Sequence, residues 1–78
     1  MKHYIATFYS YFGALSLCKE LQSADIKAEL SPVPRKLSVS CGICVEFWHE
    51  NWDCAKNACE LEAIYQVVDG GHQEVFHV

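Results

Sequence analysis

Basic side chains are scarce in this chain: six Lys and Arg stand against ten Asp and Glu, a formal charge of −4. No cluster of them is long enough to neutralise a phosphate backbone, so nucleic acid is not an expected partner. There is no glycine-rich phosphate loop and no paired-carboxylate signature. No apolar run is long and pure enough to span a bilayer, so no membrane partner is expected. The nearest approach, Tyr4 to Cys18 after Met1-Lys2-His3, imitates a secretory leader. Thr7, Ser10 and Ser16 dilute it, no small-x-small cleavage site comes after it, and its removal would delete a strand and half a helix. Repeats, linkers and low-complexity tracts are absent as well, which leaves residues 1–78 as a single domain.

The chain does have a 51% hydrophobic composition, enough for a folded globule. A domain this small buries only about 60–65% of the surface its unfolded chain exposes, so its stability is expected to be marginal. Five cysteines could form a disulfide scaffold, but an odd number leaves one unpaired, and the patterned segments can build a core themselves. Reduced thiols in a cytoplasm are the expectation.

His3 to Phe8 is rich in aromatic and β-branched residues and reads as a strand, with Ser10 as the N-cap of a helix after it. Ala14, Leu17, Cys18 and Leu21 fall at i, i+3, i+4 and i+7, one apolar stripe on a helix from Tyr11 to Ser23 that makes Cys18 a small buried hydrophobe. Ile26, Ala28 and Leu30 alternate with Lys27 and Glu29 as in a half-buried strand that Ser31-Pro32 would end. A loop with both prolines leads to a third strand, Gly42 to Trp48, with Ile43, Val45 and Phe47 on one face and Cys44, Glu46 and Trp48 on the other. Asn51 can cap a second helix to about Ala63, with Ala55, Ala58 and Cys59 along one side. Ile64 to Val68 is a fourth strand, and Asp69-Gly70-Gly71 turns the chain into a tail, His72 to Val78, that is a candidate hairpin partner.

That order suggests an α+β fold of the ferredoxin-like, split βαβ kind (βαββαβ): a four-stranded antiparallel sheet with two helices on one face, and the tail as a candidate extra strand. The first two strands would run parallel with the third returning between them. Cys41 would then sit at the end of the sheet where the first strand feeds its helix.

A thiolate is the nucleophile of sulfur chemistry, and a helix N-terminus or a cation such as Arg35 lowers its pKa. Ser38 and Ser40 add hydroxyl donors, and Gly42 lets a second molecule come close. Equally, Cys41 can be read as a small residue that starts a strand. Cys41-Gly42-Ile43-Cys44 also has the C-x-x-C spacing of redox dithiols and of half a zinc site. Redox motifs of the thioredoxin kind open a helix, however, and this one runs into a strand, which turns the two sulfurs to different faces. For zinc, Cys54, Cys59 or His49 would have to supply the remaining ligands. His49 and Cys54 lie beyond the far end of the third strand, roughly 15 Å from Cys41 at ~3.3 Å per residue. His3, His49, His72 and His77 read as solvent-facing, and Trp48 and Trp52 as core.

The chain resembles a small family of selenium/sulfur carrier protein-like domains. The resemblance rests on Tyr4 to Phe8 with Ser10, then Val33-Pro34-Arg35-Lys36-Leu37-Ser38-Val39-Ser40-Cys41-Gly42 before an apolar strand. It implies that Cys41 accepts a sulfur or selenium atom from one protein as a persulfide or selenosulfide and passes it to another, with Arg35, Ser38, Ser40 and Gly42 forming the loop around it. Such a protein is a carrier more than a stand-alone enzyme, and needs no cofactor. Cys44 departs from the family pattern and leaves room for a resolving thiol. Cys54 and Cys59 also look particular to this chain. The alternative is a small zinc- or iron-binding or interaction domain using Cys41 and Cys44, with Cys59 as a further ligand. A third reading is a homodimer through the sheet face that carries Cys44, Glu46 and Trp48.

Overall fold

In the computed structural model, which describes residues 1–37 and 41–78, Tyr4 to Phe8 are buried without a break. A strand buried on both faces belongs at the middle of a sheet, and this one, β1 (Lys2–Phe8), lies there. The other elements are, in chain order, α1 (Tyr11–Ser23), β2 (Lys27–Pro32), β3 (Ile43–His49), a short 3₁₀ turn (Asp53–Ala55), β4 (Leu61–Val68) and β5 (Gly71–His77). The sheet order is β2-β3-β1-β4-β5, and every neighbouring pair is antiparallel. β1 and β2 therefore run parallel, with β3 returning between them.

Two expectations need correction. Among the described residues the sheet has five strands, not four, because the tail, the candidate extra strand, pairs with β4 from Val68↔Gly71 to Ala63↔His77, with a register shift between Ile64 and Tyr65. The tight link between them passes through Gly70, whose φ of 86° suits a residue without Cβ. Among the described residues the second helix is absent, and one helix packs on the sheet where two were expected. Asn51 caps no helix: its Oδ1 accepts from the Asp53 N–H at 3.1 Å, an Asx turn that leads into the 3₁₀ turn, whose N-cap is Trp52. The proposed stripe of Ala55, Ala58 and Cys59 is too small to hold a helix against the sheet, and of the three only Ala55 is buried. Trp52 instead packs on Phe76 of β5, ring centroids 5.2 Å apart. The strand expected from Ile64 consequently begins at Leu61, and β2 runs through Pro32, which an edge strand tolerates because its outer N–H groups have no partner.

α1 has the bounds its stripe predicts. It ends in a Schellman arrangement: Ile26 N–H donates to the Leu21 carbonyl at 2.9 Å and Asp25 N–H to that of Gln22 at 3.1 Å, with Asp25 in the left-handed region at φ 61°. Its buried side chains Ala14, Leu17, Cys18 and Leu21 pack with Tyr4, Ala6, Phe8, Val45, Phe47, Leu61 and Ile64 as the core. The opposite face is not bare. Ile5, Thr7, Cys44 and Ala63 are buried there, and the Thr7 hydroxyl donates to the Ala63 carbonyl at 3.2 Å. Further along that face His3 stacks on Trp48 with ring centroids 4.5 Å apart and contacts Glu46 Oε1 at 2.9 Å, while Lys27 Nζ lies 4.8 Å from the Trp48 ring centre. His3 is thus half-buried and engaged instead of solvent-facing, and Trp48 belongs to this face and not to the core.

Candidate functional site

β2 and β3 form a hairpin whose connection runs from Val33 to Gly42. Its base is closed by Val33 N–H donating to the Gly42 carbonyl at 3.0 Å, and inside it Leu37 N–H donates to the Pro34 carbonyl at 3.0 Å. The second bond makes Pro34 to Leu37 a β-turn, with Arg35 and Lys36 exposed at its tip. Ser38 and Ser40, expected to supply hydroxyl donors, lie outside the described residues. Cys41 is half-buried, at the bend that leads into β3. A Cβ built on Gly42 would meet nothing within 4 Å, so nothing among the described residues requires glycine there and the space beside it is open.

Cys44, the second residue of β3, has a different setting. The register puts it between Thr7 of β1 and Ser31 of β2, on the face away from α1, with 0% of its surface exposed. Its thiol lies 3.8 Å from the Pro32 carbonyl oxygen, to which it donates. Burial above all, then the charges of Glu46 and Cys41, push its pKa up to about 12. Cys41 is therefore close enough for its charge to be felt. At neutral pH the thiolate fraction of Cys44 is on the order of 10⁻⁵.

The antiparallel register carries Phe8, Ile43 and Leu61 to one end of the sheet, so the N-terminus of α1 lies at the same end as Cys41. That helix end already has an anion. Ser10 Oγ accepts from the Gly13 N–H at 3.3 Å and donates to Glu60 Oε2 at 2.6 Å, while Tyr9 N–H donates to the Glu60 carbonyl at 2.9 Å. The Glu60 carboxylate thus occupies the place where the helix dipole favours negative charge.

All five cysteines are free. Cys18 lies on the buried face of α1 and Cys54 is half-buried; burial is the leading cause that raises both thiols, with the Glu29 charge adding for Cys18 and the Asp53 charge for Cys54 against a lowering backbone hydrogen bond. Cys59 is exposed beside the first turn of α1. Among the described residues no three or more His, Cys, Asp or Glu side chains are grouped so as to hold a metal ion, and Cys41, Cys44 and Cys59 are all among them. His49 pairs with Lys2 at the opposite end of the sheet from Cys41, its Nδ1 3.2 Å from the Asn51 carbonyl oxygen. No helix among the described residues is long and apolar enough to cross a membrane. Sequence reasoning missed the enclosure of Cys44, since alternation assigns it only to the face without the helix, and it missed that Cys54 and Cys59 open onto one cleft.

Residues 3–66 match the family described as "Putative Se/S carrier protein-like", and the chain belongs to that family. The matched stretch contains the Cys41 loop and ends within β4, so β5 lies beyond it. Comparison with curated proteins and with solved structures found no match.

Proposed function

We propose that the chain carries a sulfur or selenium atom on Cys41 and hands it from one partner protein to another. The observation that carries this reading is the contrast between two thiols three residues apart: Cys41 is only half-buried, at a bend, while Cys44 is enclosed and held protonated. In loading, the Cys41 thiolate attacks the outer sulfur of a donor persulfide. The donor's S–S bond breaks as the new one forms, the donor leaves as a thiolate, and no net oxidation occurs. Unloading repeats the exchange with an acceptor thiolate attacking the outer atom. A protonated Cys44 does not attack the inner sulfur, so the load is not discharged as sulfide with a Cys41–Cys44 disulfide left behind. Arg35, at the tip of the same connection, supplies a cation for the anionic chalcogen.

Thiol exchange of this kind needs access and a partner, not a cofactor, which favours a carrier over a stand-alone enzyme and a reducing cytoplasm as its setting. In fold terms we read β1 to β4 with α1 as a ferredoxin-like split βαβ unit that has lost its second helix and gained β5.

Loading with cysteine persulfide labelled in its outer sulfur, followed by peptide mass mapping, tests the proposal. One labelled sulfur is expected at Cys41, released by added thiol, absent from the Cys41→Ser chain and retained in the Cys44→Ser chain. Equal loading of Cys41→Ser and the unaltered chain would sink it.

A further inference from the structure

Where a second helix was expected, the chain runs from Trp52 to Leu61 as successive tight turns, with Ala55 N–H donating to Trp52 at 3.0 Å, Ala58 to Ala55 at 3.1 Å and Leu61 to Ala58 at 3.4 Å. Between these turns and α1 lies a cleft of ≈ 260 Å³. Ser16, Leu17 and Glu20 of α1 form one wall; Cys54, Asn57 and Cys59 stand opposite. Both cysteines lie beside packed groups. Ala55, next to Cys54, is fully buried, and the Cys59 carbonyl oxygen presses so closely on α1 that a Cβ at Gly13 would lie 2.5 Å from it.

We propose that this cleft is a thiol–disulfide exchange site, separate from Cys41, that takes a small amine-bearing disulfide and leaves Cys54 and Cys59 joined to each other. The ligand class is set by the lining. Leu17 offers an apolar floor for a short aliphatic disulfide, Ser16 and Asn57 offer hydrogen bonds, and Glu20, with Asp53 beside Cys54, favours an ammonium group. Exchange begins at the exposed thiol. The Cys59 thiolate attacks one sulfur of R–S–S–R, Cys59–S–S–R forms, and one R–S⁻ leaves and takes a proton. The Cys54 sulfur, giving up its proton to solvent, then displaces the second R–S⁻. Two protein thiols are oxidised and one external disulfide is reduced to two thiols. A disulfide brings Cα atoms to about 6 Å, so joining Cys54 to Cys59 draws in the exposed Lys56–Asn57 stretch between them and narrows the cleft.

The test treats the full chain with cystamine in the absence of air and tracks intact mass and mapped peptides. A mixed disulfide on Cys59 should appear first and be replaced by a Cys54–Cys59 cross-link, with two cysteamine molecules released per cross-link formed. Cys54→Ser should stop at the mixed disulfide. Cys41→Ser should lose any cystamine adduct at Cys41 and still form the Cys54–Cys59 cross-link, which separates this site from the carrier reading. Glu20→Gln should slow the first step roughly threefold, the size of one charge contact at ~6 Å in water, for cystamine but not for the dianionic dithiodiglycolate. A mixed disulfide that persists on Cys59 of the unaltered chain, a cross-link to Cys41, or Cys59 reacting no faster folded than in urea would overturn the proposal.

Discussion

Raising the pH should unfold this protein through a thiol that never meets solvent. The Cys44 pKa moves from 9.0 to about 12 on folding. Below pH 9 both folded and unfolded chains keep the proton and the folded state has its full stability. Above it the unfolded chain releases the proton while the folded one holds it, so stability falls by roughly 1.4 kcal/mol per pH unit until the folded pKa is reached. At about pH 10.5 Cys44 alone removes about 2 kcal/mol, a large share of what a small domain has. Tyr4, Cys18, Cys54 and Tyr65 are raised too, burial being the leading cause in each, so the whole-protein slope is steeper. Cys44→Ala isolates the one thiol. It costs a pH-independent ~1 kcal/mol for the lost sulfur, and in urea titrations monitored by tryptophan fluorescence its deficit at neutral pH should shrink and reverse by about pH 10.5. A constant gap between the two proteins would refute the reasoning, and with it the inference that Cys44 leaves a load on Cys41 untouched.

Gly13→Ala should destabilise, although alanine is the better helix former by up to ~1 kcal/mol, because the new Cβ would sit 2.5 Å from the Cys59 carbonyl oxygen. A net loss of ~1–3 kcal/mol is expected in thermal denaturation, and a rise in Tm would contradict the close approach of α1 to Cys59. Ser10→Ala removes both the acceptor for Gly13 N–H and the donor to Glu60, for a loss of ~1 kcal/mol, or about 4–8 °C in Tm. An unchanged Tm would mean that the cap is not formed.

How legible the molecule is in its sequence depends on side-chain size. Leu17, Leu21 and their stripe are bulky enough to fix α1 to the residue, and the alternation of Val45 and Phe47 fixes β3. The stripe after Asn51 consists of alanine and cysteine, too small to anchor a helix, and that segment is misread for this reason. The hairpin of the tail with β4 is legible in the Asp69-Gly70-Gly71 turn signal. The site divides the same way. The bend at Cys41 and the tip at Arg35 are legible from proline and glycine placement, whereas the burial of Cys44 depends on Thr7, far away in sequence and adjacent only once β1 is in register.

That dependence has a consequence for how the molecule assembles. The β2–β3 and β4–β5 hairpins close over short stretches of chain, whereas β1 must pair Thr7 with both Cys44 and Ala63. Loop closure costs more entropy for such distant pairs than for the hairpins, so they are expected late in folding. The thiol-bearing connection can therefore take shape in a half-assembled chain, while Cys44 gains its cover only when β1 inserts between the hairpins. Protection of Cys44 from alkylation is then a report on the last step of folding, and an incompletely folded chain would expose two competing thiols where the finished one offers Cys41 alone at that bend.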